Sequence, residues 1–66
     1  MSSETTPEEY FEARGFAISF SDGDGFVWAD LTRGDSGAVL PRYGRGEDEA
    51  SAAARAVVRW RVEQGD

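Results

Sequence analysis

Thirteen carboxylates, seven arginines and two tyrosines are the ionisable side chains of this 66-residue chain, which has no histidine, cysteine or lysine. The missing imidazoles remove the commonest general base and the commonest metal ligand. The missing thiols remove disulfides and thiolate metal sites together. Nucleophile-plus-base catalysis therefore has almost no raw material. Carboxylates alone can do acid-base work, but here they sit in turns and at helix starts, where solvated or capping roles account for them. Asp22-Gly-Asp-Gly25 has the look of a calcium loop, yet later ligand positions are missing and Arg33 stands where the closing bidentate glutamate would fall. It reads as a hairpin turn, and Arg33-Gly-Asp-Ser36, despite matching an integrin-recognition tripeptide, reads as the next. Gly44-Arg45-Gly46 ahead of a helix hints at a phosphate cradle, but Glu47, Asp48 and Glu49 would repel an anion there. We expect no catalytic residue, no metal site and no cofactor.

The elements that position these groups follow from patterning. Residues 1 to 5 are polar and are expected to form a disordered tail, ahead of a single domain over 6–66. Thr6-Pro7-Glu8-Glu9 combines a cap, a proline at the first helical position and a glutamate at the capping-box position. Tyr10, Phe11 and Ala13 continue this short helix, and Gly15 suits its left-handed end. Phe16 to Ser21 alternates, Phe26 to Thr32 follows the first turn, and Gly37 to about Tyr43 forms a third strand. Pro41 in that strand predicts an edge position or a bulge. A final helix starts at Glu47 to Glu49, whose charges complement its dipole, and runs to about Gln64, with Gly65 as its stop. Ala50, Ala53, Ala54, Val57, Val58 and Trp60 are expected to form its apolar stripe, opposite Ala52, Arg55, Arg59 and Glu63. Arg61 is expected at the stripe's margin, its stem packed and its head in water. The expected fold is α+β in the order α-β-β-β-α, a three-stranded antiparallel meander with both helices on one face.

Hairpin parity then distributes the side chains. With even-length loops, Phe20 pairs with Val27, Ile18 with Ala29, Phe16 with Leu31, Leu31 with Ala38 and Ala29 with Leu40. All of these residues share one face, which must meet the helices. Ala17, Ser19, Phe26, Trp28, Asp30, Val39 and Tyr43 take the other. An odd loop would instead turn Phe26 and Trp28 inward and force Asp30 into the core, which is costly without a partner. An exposed cluster of large apolar residues marks an interaction surface. Phe26, Trp28, Tyr43 and Val39, with Arg42 and Arg45 beside them, are therefore the candidate partner-binding residues.

The stretch from Tyr43-Gly-Arg-Gly-Glu-Asp-Glu-Ala to Trp60 is similar to the last strand and helix of double-stranded-RNA-binding domains, which share the α-β-β-β-α order and an alanine-rich final helix. That resemblance implies the fold, while Glu47, Asp48 and Glu49 stand where the family places phosphate-gripping lysines. Asp24-Gly25-Phe26-Val27-Trp28-Ala29-Asp30-Leu31 and Glu47-Asp48-Glu49-Ala50 also resemble the second strand and helix start of HicB-like antitoxin domains. This implies an acidic cap on a basic, RNA-cleaving toxin, although the Pro-x-Leu-Pro-Gly pattern and a DNA-binding tail are missing.

A net charge of −6 repels phosphate backbones and favours solubility. No run approaches the ~18 apolar residues of a membrane span, and the first residues lack the features of an export signal, so the expected location is cytoplasmic. A chain of this size buries only about 60% of its unfolded surface, so oligomerisation, or an unusually well-filled small core, is the expected reinforcement. The function expected is a non-catalytic protein-interaction module whose outer sheet face homodimerises or holds a protein partner. The alternatives are aromatic stacking on nucleic acid bases by that face, or antitoxin-like inhibition of a basic toxin.

Overall fold

In the computed structural model, which describes residues 6–65, the chain opens on the expected helix start. The tail expected over residues 1 to 5 lies outside the described residues. Thr6 Oγ1 accepts the Glu9 N–H at 3.2 Å and the Glu9 carboxylate accepts the Thr6 N–H at 3.2 Å. This reciprocal box fixes helix α1 (Pro7–Glu12) and satisfies two amides that a helix start leaves without partners. Gly15, at φ +85°, reverses the chain into strand β1 (Phe16–Gly23). Strands β2 (Phe26–Arg33) and β3 (Val39–Gly46) follow in an antiparallel sheet of order β1-β2-β3. Helix α2 (Glu49–Gln64) is capped by Asp48, whose Oδ1 accepts the Ser51 N–H at 2.8 Å, and is stopped by Gly65 at φ +83°. The order is α-β-β-β-α, as expected.

The two hairpins keep the expected faces but not the expected register. Asp24 and Gly25 both have positive φ (56° and 80°). That is the signature of a two-residue type I′ turn, for which Asp-Gly is a preferred pair. Gly23 therefore pairs with Phe26, and Phe20 meets Ala29 and Ile18 meets Leu31, two residues beyond the expected partners. In the second hairpin Arg33 N–H donates to the Ala38 carbonyl at 2.8 Å, and Leu31 pairs with Leu40 rather than Ala38. A slip of two leaves every side chain on its face, whereas a slip of one would have exchanged the faces. Ala38 and Leu40, expected against the helices, lie beyond their cover and are exposed.

Phe11, Phe16, Ala29, Leu31, Tyr43, Ala52 and Ala56 form the core, with Trp60 packed against it. Phe11 is its hub, fully buried and edge-on to Phe16, Tyr43 and Trp60, with ring centroids 5.9–6.5 Å apart. Both helices thus cover the same sheet face. Helix α2 is rotated from the expected orientation: Ala52, Ala53 and Ala56 are buried, while Ala50, Ala54 and Arg61 are exposed and Val58 is 61% exposed. The cause lies in β3. Gly44 and Gly46 belong to that strand rather than to a loop, and a Cβ on Gly44 would sit 2.7 Å from the Ala56 nitrogen. The helix has been drawn onto bare backbone, which only small residues on its facing side permit.

The same strand accounts for a second difference. Between the pairs Leu31↔Leu40 and Ala29↔Gly44, β2 contributes Asp30 alone while β3 contributes Pro41, Arg42 and Tyr43. Arg42 takes the left-handed conformation at φ 51°. Such a bulge re-aims the residues around it, and Tyr43, expected on the outer face, points into the core with 6% exposure. The edge position and the bulge are what Pro41 foretold.

Candidate interaction surface

The sheet face away from the helices has no layer over it among the described residues. Its centre is Trp28 on β2, held from three directions. The indole N–H donates to the Gly23 carbonyl at 2.8 Å, and the ring lies so close over Gly23 that a Cβ there would sit 3.3 Å from Nε1. Phe26 approaches edge-on at a centroid distance of 6.3 Å. Arg42 stacks its guanidinium 4.6 Å from the indole centroid. Arg45, opposite Trp28 in the β2–β3 register, lies 4.5 Å from the Phe26 centroid and 6.0 Å from that of Trp28. Cation–π contacts of this kind contribute ~0.5–1 kcal/mol at exposed sites. They leave two flat rings partly roofed by donors.

Of the residues singled out from sequence, Phe26, Trp28, Arg42 and Arg45 are brought together. Val39 lies opposite Thr32 on the same face and is 54% exposed, towards the other end of the sheet. Tyr43 is not part of the surface. Its hydroxyl donates to the Glu63 carboxylate, and Arg59 lies 4.3 Å from its ring centroid and donates to its carbonyl at 3.2 Å. Burial, followed by the Glu63 hydrogen bond, pushes the phenol up to about 12. The hydroxyl of Tyr43, and then Arg59, hold the Glu63 carboxyl below its ordinary value.

Sequence reasoning missed three residues that build this face. Gly23 gives the indole its bed. Asp24 forms an ion pair with Arg42 at 3.3 Å, exposed and so worth little in stability, but placed to hold the guanidinium over the ring. Asp30, expected on this face but given no part in the surface, is a clamp. One carboxylate oxygen accepts the Arg42 amide at 2.7 Å and the other accepts the Ser21 hydroxyl at 3.1 Å. The signal for Asp30 was present, since an acid between two core-facing residues must face the sheet's other side. Asp24 and Arg42 balance each other. Arg45 has no carboxylate within 4.0 Å among the described residues. Beside it, Phe26, Arg45, Gly46, Glu47, Ser51, Ala54 and Arg55 line an open cleft of about 390 Å³.

Among the described residues no group of three acids could hold a metal ion, and no helix is long and apolar enough to cross a membrane. Comparison with protein families, with curated proteins and with solved structures finds no match to this chain.

Proposed function

We propose that the protein is a non-catalytic interaction module that holds a protein partner on its outer sheet face, in the cytoplasm. The observation that carries this reading is the Phe26–Trp28 pair roofed by Arg42 and Arg45 on an uncovered sheet. Trp and Arg are the side chains that dominate binding energy at protein interfaces. Here they are fixed before any partner arrives, by the indole hydrogen bond and the Asp24 ion pair, which lowers the ordering cost of association. The chemistry of the face selects a partner with an apolar side chain to pack beside the exposed part of Phe26 and a carboxylate or carbonyl for the unpaired guanidinium of Arg45.

The same residues favour base stacking as the second reading. Three features weigh against it. Guanidinium groups already lie over the rings, and the chain's charge of −6 opposes phosphate. The helix start that grips phosphates in double-stranded-RNA-binding domains carries Glu47, Asp48 and Glu49 here. An antitoxin-like grip on a basic toxin would draw on that overall acidity, but at this face Arg42 and Arg45 are matched by only Asp24 and Asp30.

The test uses the full chain and Trp28→Ala, with circular dichroism to verify the fold, each immobilised against an extract of the source organism. A partner retained by the native chain and reduced at least tenfold by Trp28→Ala supports the reading. Equal retention by both refutes it. Titration with single- and double-stranded oligonucleotides at low salt is the companion measurement, and tight binding there would replace the protein partner by nucleic acid.

A further inference from the structure

We propose that a second copy of this chain pairs with the outer edge of β1, on which no strand lies among the described residues, making one continuous six-stranded sheet. The inference goes beyond the partner on the outer face, and it rests on different residues. The sheet has two edges, β1 and β3, and they differ sharply. The β3 edge is guarded: Pro41 has no N–H, Arg42 is left-handed, and the Arg42 N–H is already given to Asp30. Such features are how proteins block unwanted strand pairing. Strand β1 has none of them. It runs for eight residues without proline, bulge or positive φ, and in a chain with thirteen acids its first six residues carry no charge.

The geometry of the first hairpin says which groups are free. Its two-residue turn makes Gly23↔Phe26 a hydrogen-bonded pair, so Ser21, Ser19 and Ala17 bond to β2 in alternation. The N–H and C=O groups of Phe16, Ile18, Phe20 and Asp22 therefore point outward from the sheet. Antiparallel pairing about a two-fold axis at Ser19 sets Ile18 against Phe20 of the second copy, and Phe20 against its Ile18, using about eight main-chain hydrogen bonds.

The side chains suit this register. Ile18 and Phe20 are half-buried at the margin of the core, and the arrangement gives each an apolar neighbour. Ser19 meets its own copy on the outer face, where the pair is small and uncharged. At either end Asp22 lies opposite Phe16 of the other copy. Arg33, already paired with Asp35 at 3.3 Å, lies over that same Phe16 ring with its guanidinium 5.6 Å from the centroid, so Asp22 stays at the solvated rim of the contact. A contact one strand wide falls below the ~1,200 Å² of stable interfaces, so the dimer belongs at a dissociation constant on the order of 10–100 µM.

Ser19 is exposed in the monomer, which makes it a benign place to test the axis. Sedimentation of the native chain is expected to give a mass moving from 7.2 kDa towards twice that value as concentration rises through this range. Ser19→Lys and Ser19→Glu should each remain monomeric, their equimolar mixture should recover the dimer, and Trp28→Ala should dimerise as the native chain does. In a chain without other thiols, Ser19→Cys should form a disulfide dimer at least tenfold faster than Ser36→Cys, since a non-hydrogen-bonded pair brings Cα atoms to ~4.5 Å. A native chain that is monomeric at millimolar concentration overturns the proposal. So does a Lys/Glu mixture that stays monomeric, or a dimer that Trp28→Ala dissolves and Ser19→Lys does not.

Discussion

Replacing Gly44 by alanine adds one methyl group, and the structure gives its destination. The new Cβ would lie closest to the Ala52 carbonyl oxygen, then 2.7 Å from the Ala56 nitrogen and 2.9 Å from the Ala56 Cβ, where ordinary contact begins near 3.4 Å. The nearest obstacles are helix backbone, so no rotamer change relieves them. Relieving the Ala56 contacts alone moves helix α2 by about 0.7 Å as a body, and the closer Ala52 carbonyl demands more. A radial gap of that size forfeits about a quarter to a half of each lost dispersion contact, and it opens along the whole seam of Ala52, Ala56 and Gly46. Overpacking typically costs ~1–3 kcal/mol, and the rigidity of this contact puts Gly44→Ala at about 3 kcal/mol. At ~0.05–0.15 kcal/mol per residue a domain of this length has only about 3–10 kcal/mol to lose, so the variant should melt about 12–24 °C lower. Gly25→Ala is the control. Its φ is +80° but nothing lies within 4 Å, so it incurs backbone strain alone, about 1 kcal/mol. Urea unfolding followed by circular dichroism measures both. If Gly44→Ala proves no more destabilising than Gly25→Ala, close approach of α2 to β3 is not what orients the helix.

Two further outcomes test the core and the bulge. Tyr43 ionises at about 12 in the folded protein and near 10 when unfolded, so above pH 10 the unfolded chain releases its proton first. Stability is therefore full below pH 10 and declines towards pH 12, and Tyr43→Phe should flatten that decline in alkaline unfolding curves. An unchanged alkaline limb would mean that the phenol is not what limits stability there. Asp30→Ala removes the acceptor for the Arg42 amide and the Ser21 hydroxyl and should destabilise by about 1–2 kcal/mol in urea unfolding, with Asp30→Asn recovering part of the loss. An Asp30→Ala protein as stable as the native one would remove the clamp from the account of the bulge.

Caps, turns and alternation carried most of the fold into view at the level of sequence. Thr6 with Glu9, Asp-Gly at the first turn, Asp48 and Gly65 act through their immediate neighbours, so local pattern suffices to read them. Parity placed Phe26 and Trp28 correctly because a register slip of two does not change faces. Two things were not legible, and both arise from β3. The orientation of α2 depends on which side of an alanine-rich helix meets bare backbone, and hydropathy does not distinguish Ala52 from Ala50. Gly44 and Gly46 carried the clue, since glycines inside a strand mark close approach of another backbone, but their position before a helix suggested a loop. Tyr43 was misplaced because strict alternation fails at a bulge, and Arg42 gives no warning in its side chain that it will take φ 51°.

The free edge and the aromatic face have a joint consequence. In a continuous six-stranded sheet the two outer faces lie on the same side, each with its Phe26–Trp28 pair and the arginines over it. Strands β2 of the two copies would then be three spacings apart, about 14 Å. Trp28 sits level with Ser21, two residues from the axis at Ser19, so the two indoles are also offset along the strands by about 13 Å. The resulting separation, about 20 Å, lets one extended partner engage both faces, or two partners bind side by side. A partner with two matching segments would gain from effective concentration without any new contact. Once a partner is identified, Ser19→Lys should leave the affinity of a single-segment fragment unchanged and weaken a two-segment partner by at least tenfold. Equal weakening of both would place Ser19 inside the partner contact itself and remove the edge dimer from the mechanism.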